Sequence, residues 1–159
     1  VRMFRPRRVL EIGTFTGYAT LCLAEGLQKD GVLYTIDINE EQEARVSTYF
    51  AESAYGSQID YRIGDALELI PTIAGTFDLV FIDADKKRNL VYYTMLIDRI
   101  PKGGLILIDN VLWKGKIFDE NPDSQTKQVL ALNDTLAADD RVEKLILPIR
   151  DGLFVLRKK

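Results

Sequence analysis

The sequence contains no histidine and one cysteine among its 159 residues. The absence of histidine excludes His-based catalytic triads and histidine-ligated zinc, so any acid–base chemistry must use Lys, Asp, Glu or Tyr. A single cysteine, Cys22, excludes an internal disulfide. Because Cys22 lies in an apolar helical stretch, we predict a buried and inert thiol.

Long apolar runs and an excess of positive charge are also missing. No segment approaches the roughly 20 apolar residues that span a bilayer, so no membrane partner is expected. The net charge is −3 and the pI is near 5.1, which gives no electrostatic reason to expect nucleic-acid binding. The basic start, "VRMFRPRRVLEIG", lacks the apolar core and cleavage site of a signal peptide. A cytoplasmic location fits these features.

The remaining composition is that of an ordinary globular protein. Hydrophobic residues make up 47% of the chain and charged residues 28%. The length predicts one domain over residues 1–159, large enough to bury a core without disulfides.

Short β-rich runs alternate with helical patterns along the whole chain. Strands are predicted at 8–13, 32–38, 59–64, 77–83, 104–109, 142–149 and 152–158, and helices at 18–28, 40–54, 66–73, 87–98 and 123–139. This alternation of apolar strands and helices implies an α/β fold, a parallel sheet covered by helices on both faces. The last two strands have no helix between them, so one should run antiparallel at the edge. In helix 40–54 the predicted inward residues are Ala44, Val46, Phe50 and Ala54.

A glycine turn follows the first predicted strand, in "LEIGTFTGY". Open parallel sheets bind ligands beyond the carboxyl ends of their strands. The dinucleotide fingerprint would place glycines at Phe15 and Tyr18, which argues against NAD. Gly13 and Gly17 still allow a ligand to approach the backbone closely. The carboxylate of Glu11, just before the turn, would repel a pyrophosphate but suit an ammonium group.

Acidic residues also follow the next two strands. "TIDIN" places Asp37 24 residues after Gly13, about where a carboxylate binds a ribose diol in this topology. "GDAL" places Asp65 and Ala66 beside an adenine-sized pocket. Each acid alone is more simply a turn or cap residue. The joint pattern at three successive strand ends favours a nucleoside with an amino-acid tail over a dinucleotide.

The fourth and fifth strands end in a potential metal-binding set. Asp83 ends the fourth strand, and Asp109 and Asn110 end the fifth. If these strands are neighbours, their ends lie about 5 Å apart. Two carboxylates and an amide oxygen suit Mg²⁺, Mn²⁺ or Ca²⁺. From the residues alone, a metal site and a polar turn remain equally open.

Five sequence blocks together resemble a known family. "VLEIGTFTGYATLCLA", "TIDIN", "GDAL", "FDLVFIDADK" and "GGLILIDNVLWKGK", in this order and spacing, resemble the cation-dependent class I O-methyltransferases, the caffeoyl-CoA and catechol O-methyltransferase group, and especially its bacterial members. The resemblance extends from about residue 8 to the end of the sequence. It implies a Rossmann-like methyltransferase fold with a seven-stranded, mostly parallel sheet and one antiparallel strand in the edge region.

The resemblance also implies roles for individual residues. Asp83, Asp109 and Asn110 match the family's metal ligands, and Lys86 matches its catalytic lysine. The positions that match contacts to S-adenosylmethionine are Glu11, Gly13, Thr14, Asp37, Ala66 and Asp83, to which the strand-end pattern adds Gly17 and Asp65.

The implied reaction is transfer of a methyl group from S-adenosylmethionine to a hydroxyl of a catechol-like or phenolic acceptor. A divalent cation would lower the pKa of the bound hydroxyl, and Lys86 would take or share its proton. Positioning would supply most of the acceleration. Relatives are commonly dimers, so a homodimer is a partner to consider.

Four positions depart from the pattern or bear on substrate choice. Ala19 replaces a family serine, Asn89 replaces a tyrosine, and Lys114 occupies a variable substrate-loop position. Trp113 either walls the acceptor site or anchors a dimer.

The segment that precedes the first strand in relatives, several dozen residues long, is not present, so a fragment or a form without this lid is expected. Two other functions stay open: a non-catalytic S-adenosylmethionine-binding module and a nucleotide-dependent oxidoreductase.

Overall fold

All the predicted strands and helices form, with shorter bounds, and the predicted helices 18–28 and 66–73 are α-helical only over Tyr18–Ala24 and Ala66–Leu69. A computed structural model describes residues 1–159. The strands are β1 (Arg8–Ile12), β2 (Val32–Asp37), β3 (Ile59–Ile63), β4 (Leu79–Ile82), β5 (Leu105–Asp109), β6 (Val142–Leu147) and β7 (Leu153–Lys158). The helices are α1 (Tyr18–Ala24), α2 (Glu43–Glu52), α3 (Ala66–Leu69), α4 (Asn89–Leu96) and α5 (Ser124–Ala138). None of them has the length and apolar character needed to cross a membrane.

The strands form a seven-stranded mixed sheet in the order β3-β2-β1-β4-β5-β7-β6. β2 runs parallel to β1 and β3, whereas β7 runs antiparallel to β5 and β6. The predicted antiparallel strand near the edge is therefore confirmed. It is β7, one position in from the edge, because the final hairpin places its second strand beside β5. The predicted neighbours β4 and β5 are also adjacent.

The chain forms two compact units, residues 1–80 and 81–159. In the first unit, β1 and β2 pair in a register that sets Glu11 opposite Thr35. Apolar residues on both strands are buried because helices and neighbouring strands cover them. They include Val9, Leu10, Ile12, Leu33 and Ile36.

Helix α2 contacts this core through fewer residues than predicted. Val46 and Phe50 are buried, as the one-turn spacing between them requires. The prediction was wrong for Ala44 and Ala54, which are exposed. Ala44 is two residues from Val46 and so points about 200° away around the helix, and Ala54 lies beyond the last helical residue, Glu52.

The prediction of a buried Cys22 was also wrong, because its side chain is exposed. Thr20, Leu23 and Ala24 form the buried face of α1. Cys22 is two residues from Thr20, on the opposite side of this short helix. The rotational position decides burial here, not the apolar character of the segment.

In the second unit, α4 and α5 present apolar faces to the core. Tyr92 and Tyr93 of α4 are buried. α5 begins at an Asp123 cap, whose Oδ1 accepts the backbone N–H of Thr126 at 2.7 Å. The buried residues of α5 are Thr126, Val129, Leu132 and Leu136.

A polar cluster fixes the end of α5. The Tyr93 hydroxyl donates to Asp139 Oδ2 at 2.7 Å, and Arg141 Nη2 lies 2.7 Å from the same oxygen. The Arg141 guanidinium, assisted by the Tyr93 hydroxyl, holds the pKa of Asp139 well below its usual range. The Asp139 carboxylate is thus stabilised by folding.

Asp139→Asn should therefore lower the free energy of unfolding by about 1–2 kcal/mol at pH 7. A carboxyl whose pKa is depressed by folding contributes stability above its unfolded pKa of about 4, and this contribution is lost as the pH falls below that value. The difference between the variant and the wild type should begin to shrink below about pH 4 and continue to shrink as the pH approaches the depressed folded pKa, as measured by urea unfolding. Asp140→Asn, at an exposed neighbouring position, is the control. An undiminished difference at about pH 2 would contradict this account.

Candidate functional site

The glycine turn of the first unit is held against the end of β2. The Gly13 N–H donates to the Ile36 carbonyl at 2.9 Å, and the Phe15 N–H donates to Asp37 Oδ2 at 2.6 Å. The Asn39 N–H donates to the other Asp37 oxygen at 2.9 Å. The predicted site residues Gly13 and Asp37 therefore lie together, and Asp37 fixes the turn.

Gly17 allows a close approach between two helices. Its φ is 79°, a left-handed conformation, and it precedes the first residue of α1. A Cβ at this position would lie 2.6 Å from Phe50 Cε1 and 3.3 Å from Val46 Cγ1. The glycine is required by contact between α1 and α2, whether or not a ligand also approaches it.

The end of β3 lies beside the end of β2, as the strand-end pattern predicted. The Gly64 N–H donates to the Asp37 carbonyl at 2.8 Å. Asp65 caps α3, with Oδ1 accepting the Leu67 N–H at 2.9 Å, and Ala66 is buried. Asp65 thus has the cap role that its position alone suggested.

Glu11 lies inside the protein in a network of threonines. Its side chain is 0% exposed, and Oε2 accepts hydrogen bonds from the hydroxyls of Thr20 and Thr35, the latter at 2.6 Å. The buried Thr14 hydroxyl lies 2.6 Å from that of Thr35. The network joins β1, β2, α1 and the glycine turn.

Thr20 and Thr35 were not predicted as site residues. Thr35 could have been found from the strand pairing, because it is the register partner of Glu11, but that pairing is not visible in the sequence alone. Contacts from Glu11 and Thr14 to a cofactor remain predictions.

In the second unit, Lys86 lies on the carboxylate of Asp83. Lys86 Nζ is 2.9 Å from Asp83 Oδ1, and its side chain is only 15% exposed. Asp85 shapes the same turn, because its side chain accepts the Lys87 N–H at 3.1 Å. The three charges of "DADK" therefore divide into an ion pair and a turn cap.

Asp109 carries a half-buried carboxylate in a negative environment. Burial raises the pKa of Asp109, while the Asn110 N–H, which donates to its Oδ1 at 2.7 Å, lowers it. The negative charges of Asp83 and Asp151 raise this pKa further, and the positive charge of Lys86 opposes them. Bringing a cation to these oxygens would relieve the repulsion between carboxylates.

The oxygen donors available here suit a divalent cation. Asp83 and Asp109 supply carboxylates, and Asn110, with a left-handed φ of 62°, supplies an amide oxygen. No three acidic or cysteine side chains form a cluster that could hold a metal. A site at this position therefore needs the amide of Asn110.

The loop after Asn110 is held by the turn between β6 and β7. Asp151 Oδ1 accepts the Lys114 N–H, and the Asp151 carbonyl accepts the Leu112 N–H at 2.9 Å. The Gly152 carbonyl accepts the Val111 N–H at 3.1 Å. Three hydrogen bonds thus fix a segment that contains the left-handed residues Trp113, Lys114 and Gly115.

A cavity of about 740 Å³ is lined in part by Asp109 and Asn110, two of the predicted metal ligands, and lies within the size range of small-molecule sites. Trp113, predicted as a possible wall, does not line it. The turn residues 149–151 were missed because the sequence identifies a hairpin but not what the hairpin contacts. The cavity is lined by Phe81, Asp109, Asn110, Lys114, Ile149, Arg150, Asp151 and Leu153.

Comparisons with known proteins identify relatives along the whole chain. A sequence profile of an O-methyltransferase family matches residues 1–159. A caffeoyl-CoA O-methyltransferase of Zea mays is 36% identical over 171 aligned positions, which cover 99% of this chain and 65% of the maize protein. The chain thus spans slightly less than two thirds of that relative.

Two solved structures are similar to the fold. The O-methyltransferase TomG from Streptomyces achromogenes, in complex with SAM, has a TM-score of 0.91 and 28% identity, covering 99% of this chain and 75% of TomG. An O-methyltransferase from Bacillus cereus, in complex with SAH, has a TM-score of 0.92 and 27% identity, covering 100% of this chain and 77% of that protein. Both have a Rossmann-like methyltransferase fold.

Proposed function

Because the chain belongs to this O-methyltransferase family, we propose that it transfers a methyl group from S-adenosylmethionine to a hydroxyl of a catechol-like or phenolic small molecule, with a divalent cation as cofactor. The observation that carries the proposal lies in the second unit. Lys86 pairs with Asp83, and both charges act on Asp109, which lines the 740 Å³ cavity with Asn110. Lys86, the candidate base, and the candidate oxygen ligands Asp83, Asp109 and Asn110 support the proposal because they lie close to one another and to a cavity.

The ends of β1, β2 and β3 support the cofactor assignment. We assign the ribose hydroxyls to the carboxylate of Asp37 and the adenine to the segment around Asp65 and Ala66. Phe15 and Ile38 have exposed side chains, 73% and 70% respectively. The backbone N–H of Phe15 donates to Asp37, and Ile38 directly follows Asp37 in the sequence. Exposed apolar side chains beside a carboxylate suit a ligand with an aromatic base and a polar sugar. Glu11 is linked to the glycine turn by hydrogen bonds through Thr35 and Thr14.

In the proposed mechanism, Asp83, Asp109 and Asn110 would hold the cation, which when bound would lower the pKa of the acceptor hydroxyl. Lys86 Nζ, in its neutral amine form, would take the hydroxyl proton and become an ammonium. The acceptor oxygen then bonds to the methyl carbon as the carbon–sulfur bond breaks, and S-adenosylhomocysteine leaves. The cavity walls orient the acceptor, and this positioning supplies most of the acceleration.

Methyl transfer to catechols should depend on a divalent cation. With labelled S-adenosylmethionine and a panel of catechols, label should move to the acceptor in the presence of Mg²⁺. EDTA should slow the transfer at least about tenfold, and Mg²⁺ or Mn²⁺ in excess should restore it. Binding of S-adenosylmethionine, measured by calorimetry, should survive EDTA. Binding of S-adenosylmethionine without methyl transfer to any acceptor would instead identify a binding module. A rate of transfer that EDTA does not change would contradict the proposed divalent cation.

A further inference from the structure

We propose that Lys114 and Arg150 form an anion-binding rim on the cavity, so that the preferred acceptor carries a negatively charged group in addition to its hydroxyls. This inference rests on the proposed function, because it treats the cavity as the acceptor site. Both residues line the cavity together with Asp109 and Asn110. They reach it from different segments, Lys114 from the loop after β5 and Arg150 from the turn before β7.

Neither cation is neutralised by a protein carboxylate. No Asp or Glu oxygen lies within 4 Å of the Lys114 ammonium or the Arg150 guanidinium. Lys116, only two residues from Lys114, is paired with Asp123 at 3.3 Å. Both rim side chains are exposed, so a ligand can reach them. The loop therefore contains one paired cation outside the cavity lining and one unpaired cation on it.

Asp151, one of the two acids of the cavity lining, accepts a hydrogen bond from the backbone of the rim. Asp151 Oδ1 accepts the Lys114 N–H, and the Asp151 carbonyl accepts the Leu112 N–H. The other acid of the lining, Asp109, is a proposed ligand of the cation. With a divalent cation on Asp109, the charges around the cavity become positive in sum, which disfavours a cationic acceptor and favours an anionic one.

The chemistry of the two side chains indicates the kind of anion. A guanidinium offers paired N–H donors that match a carboxylate or a phosphate, and an ammonium adds a point charge. Both residues have left-handed backbones, with φ of 54° for Lys114 and 55° for Arg150. A carboxylate and a phosphate on the acceptor share this recognition, so both are tested below.

The test compares three catechols that differ in the group opposite the hydroxyls. They are 4-methylcatechol, 3,4-dihydroxybenzoate and 3,4-dihydroxybenzyl phosphate. In the double variant Lys114→Met/Arg150→Gln, the KM for at least one anionic catechol should rise about 10- to 100-fold. The KM for 4-methylcatechol should rise at least fivefold less than the KM for the anionic catechol. Lys116→Met changes the neighbouring lysine that is paired with Asp123. It should leave KM and kcat unchanged for both the anionic catechols and 4-methylcatechol.

Binding is measured separately from turnover. The chain contains one tryptophan, Trp113, directly before Lys114, so its fluorescence can report occupancy of the rim. The wild type should bind an anionic catechol at least tenfold more tightly than 4-methylcatechol, and 0.5 M NaCl should reduce this preference. Which anion binds more tightly separates carboxylate from phosphate.

The outcomes distinguish this inference from the proposed function. The proposal of an anion-binding rim would be overturned if the wild type bound neutral and anionic catechols with equal affinity. It would also be overturned if the double variant lost the same affinity for both classes. Selective anion binding without any methyl transfer would support the rim and contradict the proposed function. Methyl transfer without anion selectivity would support the proposed function and contradict the anion-binding rim.

Discussion

Asp109→Asn is expected to slow metal-dependent methyl transfer by about 100- to 1,000-fold, the usual cost of removing one group that stabilises charge in a transition state. The substitution keeps the size of the side chain but removes a hard, charged ligand. Because Asp109 is half-buried near the carboxylates of Asp83 and Asp151, its loss also removes a repulsion. The metal-free variant should therefore be at least as stable as the wild type.

A thermal-shift series separates this effect from misfolding. Mg²⁺ should raise the Tm of the wild type, because a ligand that binds only the folded state stabilises it. Asp109→Asn should lose most of this rise while it still binds S-adenosylmethionine. Asp85→Asn, which changes an acid that only caps the neighbouring turn, should retain the rise and stay within about threefold of wild-type activity. Full metal-dependent activity in Asp109→Asn would exclude Asp109 as a ligand.

Lys86→Met provides the complementary result. It should lower kcat about 100-fold or more, because a general acid or base typically contributes that much. The Tm rise with Mg²⁺ should remain, since the oxygen ligands are still present. Loss of both the Tm rise and kcat would mean that Lys86 organises Asp83 and does not act on the acceptor proton.

Gly152→Ala is expected to cause the largest loss of stability, about 2–5 kcal/mol. Gly152 has a φ of 82°, and a Cβ there would overlap Leu112 Cγ and lie 3.0 Å from the Leu112 backbone nitrogen. The left-handed conformation costs a β-carbon about 1–2 kcal/mol, and overpacking adds about 1–3 kcal/mol. Relieving the overlap would move Leu112 and the loop after Asn110.

Gly103→Ala is the matched control for this substitution. Gly103 has nearly the same φ, 85°, but a Cβ there would meet nothing within 4 Å. Its cost in urea unfolding should be the backbone cost alone, about 1–2 kcal/mol. The excess cost of Gly152→Ala then measures the contact with Leu112. Equal costs for the two variants would show that Leu112 gives way to the added Cβ without cost.

Much of the fold follows from local patterns. The strands are short apolar runs, so residues such as Ile106 and Ile108 identify them without knowledge of their partners. The acids at strand ends are equally local, because Asp37, Asp65 and Asp83 directly follow such runs. The Asp83–Lys86 pair spans three residues and needs only the turn between them. These parts were predicted because the physical cause lies within a few residues.

Other parts depend on contacts that the chain makes over long distances. Asp151 meets the loop at Leu112 and Lys114 only because β7 is inserted between β5 and β6. The contact between Glu11 and Thr35 likewise depends on the register of β1 and β2. Cys22 and Ala44 show a different limit: apolar character predicted burial, but the rotation of each helix placed them on the solvent side.

The turn between β6 and β7 has a consequence for protein engineering. Asp151 and Gly152 hold the loop after Asn110 by hydrogen bonds, so substitutions at these two positions should lower the free energy of unfolding. Ile149 and Arg150 line the same cavity with exposed side chains, and no core packing depends on them. A combinatorial library confined to positions 149 and 150 could therefore redirect acceptor choice while the proposed metal ligands at the ends of β4 and β5 keep their scaffold.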